Sequence, residues 1–361
     1  MILVPLAILL TSFLLFLLAV VKKETRFCEL NDYPFISILV AARDEEDNIS
    51  ECLESLVLQN YPIEKIEILI GDDDSDDNTS SLVQEYVAKF HFVKYFFISH
   101  NVGLAKGKAN VLAQLARKAK GSFFLITDAD IRVTKNWCKN MVELAIHKKC
   151  DILTGVTTIF PNNLLSLFQK IDWIYSLALI KSITDLNLPL TAMGNNMLIS
   201  KKAYNATGGY ENIQFSVTED LALFKSVVAN QGKYYNHYSH ETLVFSKPIE
   251  TFLALLKQRK RWMKGAFQTP VYMVILLVLQ AIFYPVFIFS MILQPNEFIL
   301  ATALIKSIVQ IVFIYFFASR INQKINFWTL LFYEFYSAIL SLVLLIYYFI
   351  PTGINWKGRK Y

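Results

Sequence analysis

Four long apolar stretches frame this chain and leave only its middle free to be an ordinary water-facing domain. Ile2–Val21 and Pro270–Leu293 carry no charge, Phe298–Ala318 holds only Lys306, and Phe327–Ile350 holds only Glu334. At a rise of about 1.5 Å per residue, about 20 residues cross roughly 30 Å of hydrocarbon, so each stretch is long enough to span a bilayer. The first is expected to remain as an anchor over residues 1–22. A cleaved signal peptide would show a basic start, a shorter apolar core and a small-residue cleavage site, and none is evident. Lys22, Lys23 and Arg26 follow at once, so the positive-inside rule predicts a cell (inner) membrane protein whose middle region is cytoplasmic.

The middle region, about 230 residues, is far more polar and large enough for one α/β domain with its own core. The composition is 54% hydrophobic overall, and the excess lies in the four stretches. Cys28, Cys52, Cys138 and Cys150 show neither metal-ligand spacing nor a framework of bridges, which fits reduced thiols in the cytoplasm. A formal net charge of +5, without a basic stripe, argues against a nucleic-acid partner. The basic residues of Lys257–Lys264 gather beside apolar segments instead, as for contact with membrane lipids.

Within the middle region, Pro34–Ala42 (PFISILVAA) reads as a first strand. The turn Arg43–Asn48 leads into a helix through Gln59, with Asp47 or Asn48 available as its cap. Ile66–Ile70 is a second buried strand, followed by the acidic turn GDDDSDDNTS and a helix near Thr79–Phe90. Two strand–acid–helix units in succession predict βαβ architecture and a parallel sheet. Asn101–Lys108 (NVGLAKGK) lacks P-loop spacing and precedes a helix over Asn110–Ala119. The strand Phe123–Asp130 (FFLITDAD) comes next, and Asp151–Phe160 reads as one more strand.

Chemistry concentrates where these strands end, since open α/β sheets bind ligands at their carboxyl edge. Asp128 and Asp130 could share one Mg2+ or Mn2+, because hard cations prefer oxygen ligands; the alternative is a pair of turn or cap residues. Asp72 and Asp73 could accept hydrogen bonds from a base or a ribose, whereas Asp76 and Asp77 read better as helix-capping acids. Further on, Glu219 and Asp220 open a helix over Asp220–Ala229. A desolvated Asp220 is a candidate general base, with an N-cap as the alternative.

Two helices flank this chemistry. Leu164–Ile183 carries Leu164, Leu167, Phe168, Ile171, Ile174, Tyr175 and Ala178 at helical spacing, with Gln169, Lys170 and Asp172 off that stripe. It suits either a core helix or one lying on a membrane. In Ile249–Phe267, Gln258, Arg261 and Trp262 share one face, while Phe252, Leu256, Met263 and Phe267 form another that could rest on lipid. Arginine suits a diphosphate and tryptophan a stacking surface; a juxtamembrane basic belt is the alternative.

Taken in order, Asp72-Asp73, Asp128-Ala129-Asp130, Thr218-Glu219-Asp220 and Gln258-Arg259-Lys260-Arg261-Trp262 resemble the signature of family 2 glycosyltransferases with membrane spans. That group contains cellulose and hyaluronan synthases and several lipid glycosyltransferases. The similarity covers about residues 34–265, and four motifs in family order are far more specific than any one. The resemblance implies an α/β fold of the GT-A type, a mostly parallel mixed sheet with flanking helices, plus α-helical transmembrane segments. Its implied layout is a catalytic domain over 34–248, an interface helix over 249–268, three hydrophobic segments over 270–350 and a basic tail over 351–361.

The resemblance also implies roles. Asp72 or Asp73 would contact the base, Asp128 the ribose and diphosphate, and Asp130 the metal. Asp220 would take the acceptor's proton, while Gln258, Arg261 and Trp262 hold the diphosphate and shape the acceptor entrance. Ala42 and Arg43 lie where the backbone passes the nucleotide, Lys108 lies near the donor, and Asn195 and Glu219 near the acceptor. Asp74 stands where the family usually has glycine, which leaves the nucleotide open.

The expected reaction is inverting transfer from a nucleoside-diphosphate sugar, UDP-linked by resemblance, to a lipid or lipid-linked hydroxyl. Four spans are few for threading a polymer, yet a processive polysaccharide synthase stays an alternative. A transporter or scaffold is another, with Lys306 and Glu334 as its only support, and snorkelling to the interface accounts for Lys306 equally well. Four full crossings would leave the basic tail outside, against the charge rule, unless a segment such as the one holding Pro285 is re-entrant.

Overall fold

The computed structural model describes residues 3–24, 29–351, 355–356 and 359–360. Arg26, Cys28 and most of the tail therefore lie outside the described residues. The chain opens with helix α1 (Leu3–Val20), then alternates β1 (Ile36–Ala42), α2 (Ile49–Val57), β2 (Ile66–Asp72), α3 (Thr79–Lys89), β3 (Val93–Phe97), α4 (Lys108–Lys118) and β4 (Phe123–Asp128). After these come β5 (Ile131–Val133), α5 (Trp137–Lys148), β6 (Ile152–Thr154), β7 (Val156–Ile159), α6 (Leu164–Asp185), β8 (Asn196–Ser200), α7 (Lys201–Ala206) and α8 (Glu219–Ala229). β9 (Tyr234–Asn236) and β10 (Leu243–Ser246) precede the closing helices α9 (Phe252–Ala266), α10 (Val271–Leu293), α11 (Glu297–Arg320) and α12 (Phe327–Phe349).

Two compact units result. One is Glu24–Thr158 with Thr191–Lys247; the other is Met1–Lys23, Ile159–Leu190 and Pro248–Tyr361. In the first, the strands order as β3-β2-β1-β4-β8-β6-β9, with a second sheet β5-β10-β7. β1 pairs parallel with β2 and β4, and β8 runs antiparallel to β4 and β6. Strand alternation sends Ile36, Ile38 and Val40 to one face, against Leu53, Leu56 and Trp137, and Leu39 to the other, with Val111, Leu112 and Leu115. Both faces of β1 are therefore buried, which is why its sequence is a nearly unbroken apolar run.

Asp151–Phe160 is not the single strand expected from sequence. It breaks at Gly155 into β6 and β7, which join different sheets. A Cβ at Gly155 would lie 2.6 Å from both the Asn196 amide nitrogen and the Thr242 carbonyl oxygen, so only glycine allows this approach. Asn196 itself is fully buried and tied to Val156, Thr242 and the Trp137 indole. Cys52, Cys138 and Cys150 are buried and unpaired.

The second unit is helical. α1, α10, α11 and α12 are each long and apolar enough to cross a membrane. Leu3, Leu6, Ala7 and Leu10 of α1 pack with Phe283, Tyr284 and Ala303. α10 runs through Pro285 as one helix, so the re-entrant alternative finds no break there. α6 packs among these helices, with Tyr175 edge-on to Phe313 and Phe168 stacked on Tyr336 at 4.7 Å. That burial corrects the contiguous 34–248 domain: residues 159–190 belong to the helical unit because the apolar stripe of α6 finds its partners there.

Lys306 does not snorkel. It is fully buried and donates to Tyr284 Oη at 3.0 Å and Gln310 Oε1 at 2.7 Å. Glu334 closes the same network, accepting from Gln310 Nε2 at 2.7 Å, Ser307 Oγ at 3.0 Å and the Tyr284 hydroxyl.

Candidate active site

Strand register builds the site. Ala42 sits opposite Asp72 and Ala41 opposite Asp128, so the ends of β2, β1 and β4 meet at one sheet edge, where the strand order changes direction. Asp72 is fully buried and spends its carboxylate internally. Its Oδ1 accepts from Ser75 N at 3.0 Å and Ser75 Oγ at 2.6 Å, and its Oδ2 from Tyr95 Oη at 2.8 Å. It shapes the turn rather than facing a ligand, and Asp73 remains the better candidate of the two for base contact. The Asp73 backbone N–H donates to the Ala42 carbonyl at 2.8 Å, and the Arg43 guanidinium donates to the Asp73 carbonyl.

Asp74 adopts φ 61°, the left-handed region that favours glycine. Aspartate is among the side chains that enter that region most readily, so the departure at this position keeps the turn. The N-cap of α3 is Asn78; Asp77, one residue before it, accepts from Thr79 N at 2.9 Å, and Asp76 contributes its backbone N–H, which donates to Asp44 Oδ1 at 3.0 Å.

Lys108, the first residue of α4, is the hub. Its Nζ lies 2.5 Å from Asp128 Oδ1 and 2.9 Å from Glu219 Oε1. Asp220, one residue on in α8, accepts from Gly194 N at 2.9 Å through Oδ2 and from Leu221 N at 2.8 Å through Oδ1. A Cβ at Gly194 would stand 3.0 Å from the Asp220 Cβ and 3.4 Å from Lys108 Nζ, so glycine lets the loop before β8 close on both. Asn195 is pinned beside it, its Oδ1 accepting from Thr157 Oγ1 at 3.0 Å and its carbonyl from Thr127 Oγ1 at 3.0 Å.

Carboxylates outnumber cations here. Burial would lower the Lys108 pKa, but Asp128, Glu219 and Asp220 override it and push the ammonium up. Burial, then Asp128 and Glu45, raise Asp130 to about 7, with Lys108 opposing. Burial and Glu219 raise Asp220 to about 6 against Lys108 and two backbone N–H donors. A carboxyl poised near working pH, fixed by two donors, can take a proton from a hydroxyl.

The residues fit a divalent cation as an incomplete cage. Asp128 and Asp130 offer hard oxygen donors, and Asp130, raised first by burial and then by Asp128 and Glu45, would be relieved by a nearby cation. No cluster of three or more His, Cys, Asp or Glu side chains suited to a metal occurs among the described residues.

Gln258, Arg261 and Trp262 lie together on α9 of the helical unit, all half-buried. The Arg259 guanidinium stacks on Trp262, 4.3 Å from the ring centroid. Arg259 Nη2 also pairs with Asp172 Oδ2 at 2.9 Å, and Tyr333 Oη donates to Asp172 Oδ1 at 2.8 Å. Trp173 meets Trp262 edge-on at 5.2 Å. The sequence reading missed this Asp172–Arg259 support. Its only trace there was a carboxylate off the apolar stripe of α6.

The fold is of the GT-A type, and among its described residues the chain carries four helices long and apolar enough to cross a membrane. The model of glycosyl transferase family 21 matches residues 2–361, and the chain belongs to that family. The motif resemblance to family 2 enzymes thus holds at the level of fold and class, while the matching family is 21. Among curated relatives, the β-monoglucosyldiacylglycerol synthase of Trichormus variabilis is 25% identical over 237 residues, 65% of this chain and 49% of that protein. The poly-β-1,6-N-acetyl-D-glucosamine synthase of Staphylococcus epidermidis is 28% identical over 232 residues, 64% of this chain and 54% of that protein. This chain therefore spans about half the length of the curated relatives it matches. Among solved structures, the mannosyltransferase PcManGT from Pyrobaculum calidifontis, in complex with GDP-Man and Mn2+, aligns with TM-score 0.60 at 16% identity. That alignment covers 96% of this chain and 99% of that one, and it shows the fold.

Proposed function

We propose that this chain transfers a sugar from a nucleoside-diphosphate sugar to a hydroxyl of a lipid or lipid-linked acceptor, with inversion at the anomeric carbon. The observation that carries the reading is Asp220. It is held by the Gly194 and Leu221 N–H groups, raised to about 6, and set beside Lys108 with its two carboxylate partners. As the acceptor oxygen bonds to the anomeric carbon, its proton passes to Asp220. The bond from that carbon to the diphosphate breaks, and the nucleoside diphosphate leaves with the electron pair. Asp128 and Glu219 are engaged with Lys108, which leaves Asp220 the carboxyl best placed as base and supports single displacement.

Asp128 and Asp130 would hold Mg2+ or Mn2+, whose charge offsets that of the diphosphate. Ala42, Arg43 and Asp73 would frame the nucleotide. Gln258, Arg261 and Trp262 would bind the diphosphate and border the acceptor. Lys22 and Lys23 after α1 favour a cytoplasmic α/β unit. A lipid acceptor is favoured by the four apolar helices and by the lipid product named for the Trichormus relative. The polymer named for the Staphylococcus relative is the competing outcome.

A donor screen tests this. Full-length protein in lipid nanodiscs receives a panel of UDP-, GDP- and other nucleotide sugars with Mn2+ and extracted membrane lipids. Released nucleoside diphosphate and product mass are then read. The proposal expects one donor consumed and one sugar added per lipid; a ladder of long glycans overturns the lipid acceptor. Absence of release with every donor overturns the transferase reading.

A further inference from the structure

Within the helical unit, two consecutive residues of α6 hold one indole of α9. Trp173, which is buried, meets the Trp262 ring edge-on at 5.2 Å. Asp172 reaches the same ring through Arg259. Its Oδ2 accepts from Arg259 Nη2 at 2.9 Å, and the guanidinium lies 4.3 Å from the Trp262 centroid. The side chains of this ion pair, Arg259 and Asp172, are only 11% and 13% exposed, so solvent and salt screen it less than a pair on the surface. A guanidinium is planar, so a carboxylate that holds its edge also sets the face it turns to the indole.

Asp172 is itself fixed from α12. Its Oδ1 accepts from Tyr333 Oη at 2.8 Å, and its Oδ2 accepts from Tyr336 Oη at 3.3 Å. Phe168, four residues earlier and so on the same face of α6, stacks on Tyr336 at 4.7 Å and keeps that hydroxyl within reach. The α9 helix is tied to α12 by a separate contact. Lys260 Nζ donates to the Ile350 carbonyl at 2.5 Å and to the Tyr347 carbonyl at 3.3 Å. Lys260 thus places the helix, and Asp172 acts on the side chains it carries.

We infer that Asp172 is a positioning residue: acting through Arg259, it sets the orientation of the Trp262 indole against Trp173. The kinetic consequence rests on the reading under Proposed function, in which Trp262 borders the acceptor. The orientation itself does not depend on that reading.

The test uses full-length protein in nanodiscs, labelled with 5-fluorotryptophan and read by fluorine NMR alongside acceptor kinetics. Five tryptophans give few enough resonances to assign by single Trp→Phe replacements, and Trp137, fully buried in the α/β unit, is the internal reference. Asp172→Asn should shift and broaden the Trp262 resonance and leave Trp137 in place. Arg259→Gln should do the same, and the double variant should match Arg259→Gln alone, because residues acting through one partner are not additive. Asp172→Glu, which keeps the charge, should restore most of the wild-type signal. Acceptor KM should rise about tenfold in Asp172→Asn with kcat within about twofold, the split expected when ground-state binding is lost. Tyr333→Phe combined with Tyr336→Phe keeps both rings, removes only the hydroxyls and should reproduce part of the shift. If Asp172→Asn also disturbs Trp137, this milder pair decides. A Trp262 resonance that stays put in the deciding variant overturns the inference, as does a double variant shifted well beyond Arg259→Gln. A displaced resonance with acceptor KM unchanged upholds the positioning role and overturns the acceptor role of Trp262.

Discussion

Two regions of this molecule bury charge, and they do it in opposite ways. In the α/β unit, Asp128, Asp130, Glu219 and Asp220 gather around Lys108, and burial, with the surplus of carboxylates behind it, raises Asp130 to about 7 and Asp220 to about 6. In the helical unit, Lys306 and Glu334 face each other one to one, with Gln310, Tyr284 and Ser307 using their remaining hydrogen-bonding capacity. A closed network of the second kind fixes helices against one another. A cluster left out of balance keeps its pKa values displaced, and such displacement gathers where ligands bind and protons move.

This contrast can be broken most severely at Asp220. Asp220→Asn should lower kcat by about 10²- to 10⁴-fold, the usual scale of a lost general base, with donor affinity changed little in equilibrium binding. Its stability should move the other way. A carboxyl with a folded pKa of about 6 against about 3.9 unfolded is harder to ionise when folded. That penalty is absent below the unfolded value and complete once pH exceeds the folded one. The thermal midpoint of Asp220→Asn should therefore gain on wild type as pH rises from 4 to 8.

The closed network predicts the reverse pattern. Lys306→Met or Glu334→Leu alone leaves a buried charge unmatched and should cost about 3–5 kcal/mol in unfolding experiments, while surviving protein keeps its kcat. The double variant should cost less than the two single losses added together. A smaller effect concerns the acid limb of the pH–rate profile. kcat/KM should rise with pH through about 6 as Asp220 loses its proton, and Lys108→Met should move that limb to higher pH, since Lys108 favours the ionised form. Smallest of all, Arg259→Lys keeps the charge near Asp172 but loses the planar stack on Trp262. Acceptor KM should rise about fivefold, the equivalent of ~1 kcal/mol.

Much of the α/β unit was legible in the sequence because its signals are local. Apolar runs ending in Asp72 and Asp128 gave the strands and the acidic edge where they end, and the register then set Ala42 between them. What stayed hidden depends on contacts distant in sequence. Nothing near Asp172 announces Arg259 or Tyr333, and the periodicity of α6 fits several packing partners equally. Asp72 looked like a ligand contact until Ser75 and Tyr95 were seen to occupy its oxygens. Gly155 looked incidental within an apolar run, yet it is the point where one expected strand becomes two.

The central claim is that the unbalanced cluster, and not the closed one, receives the donor. Its most direct test is an experimental structure of the full-length protein with Mn2+ and a nucleoside diphosphate, read by anomalous scattering. The account predicts the manganese peak between Asp128 and Asp130, with the nucleotide along Ala42, Arg43 and Asp73. A manganese and nucleotide bound elsewhere, with Asp128 and Asp130 touching neither, would contradict it.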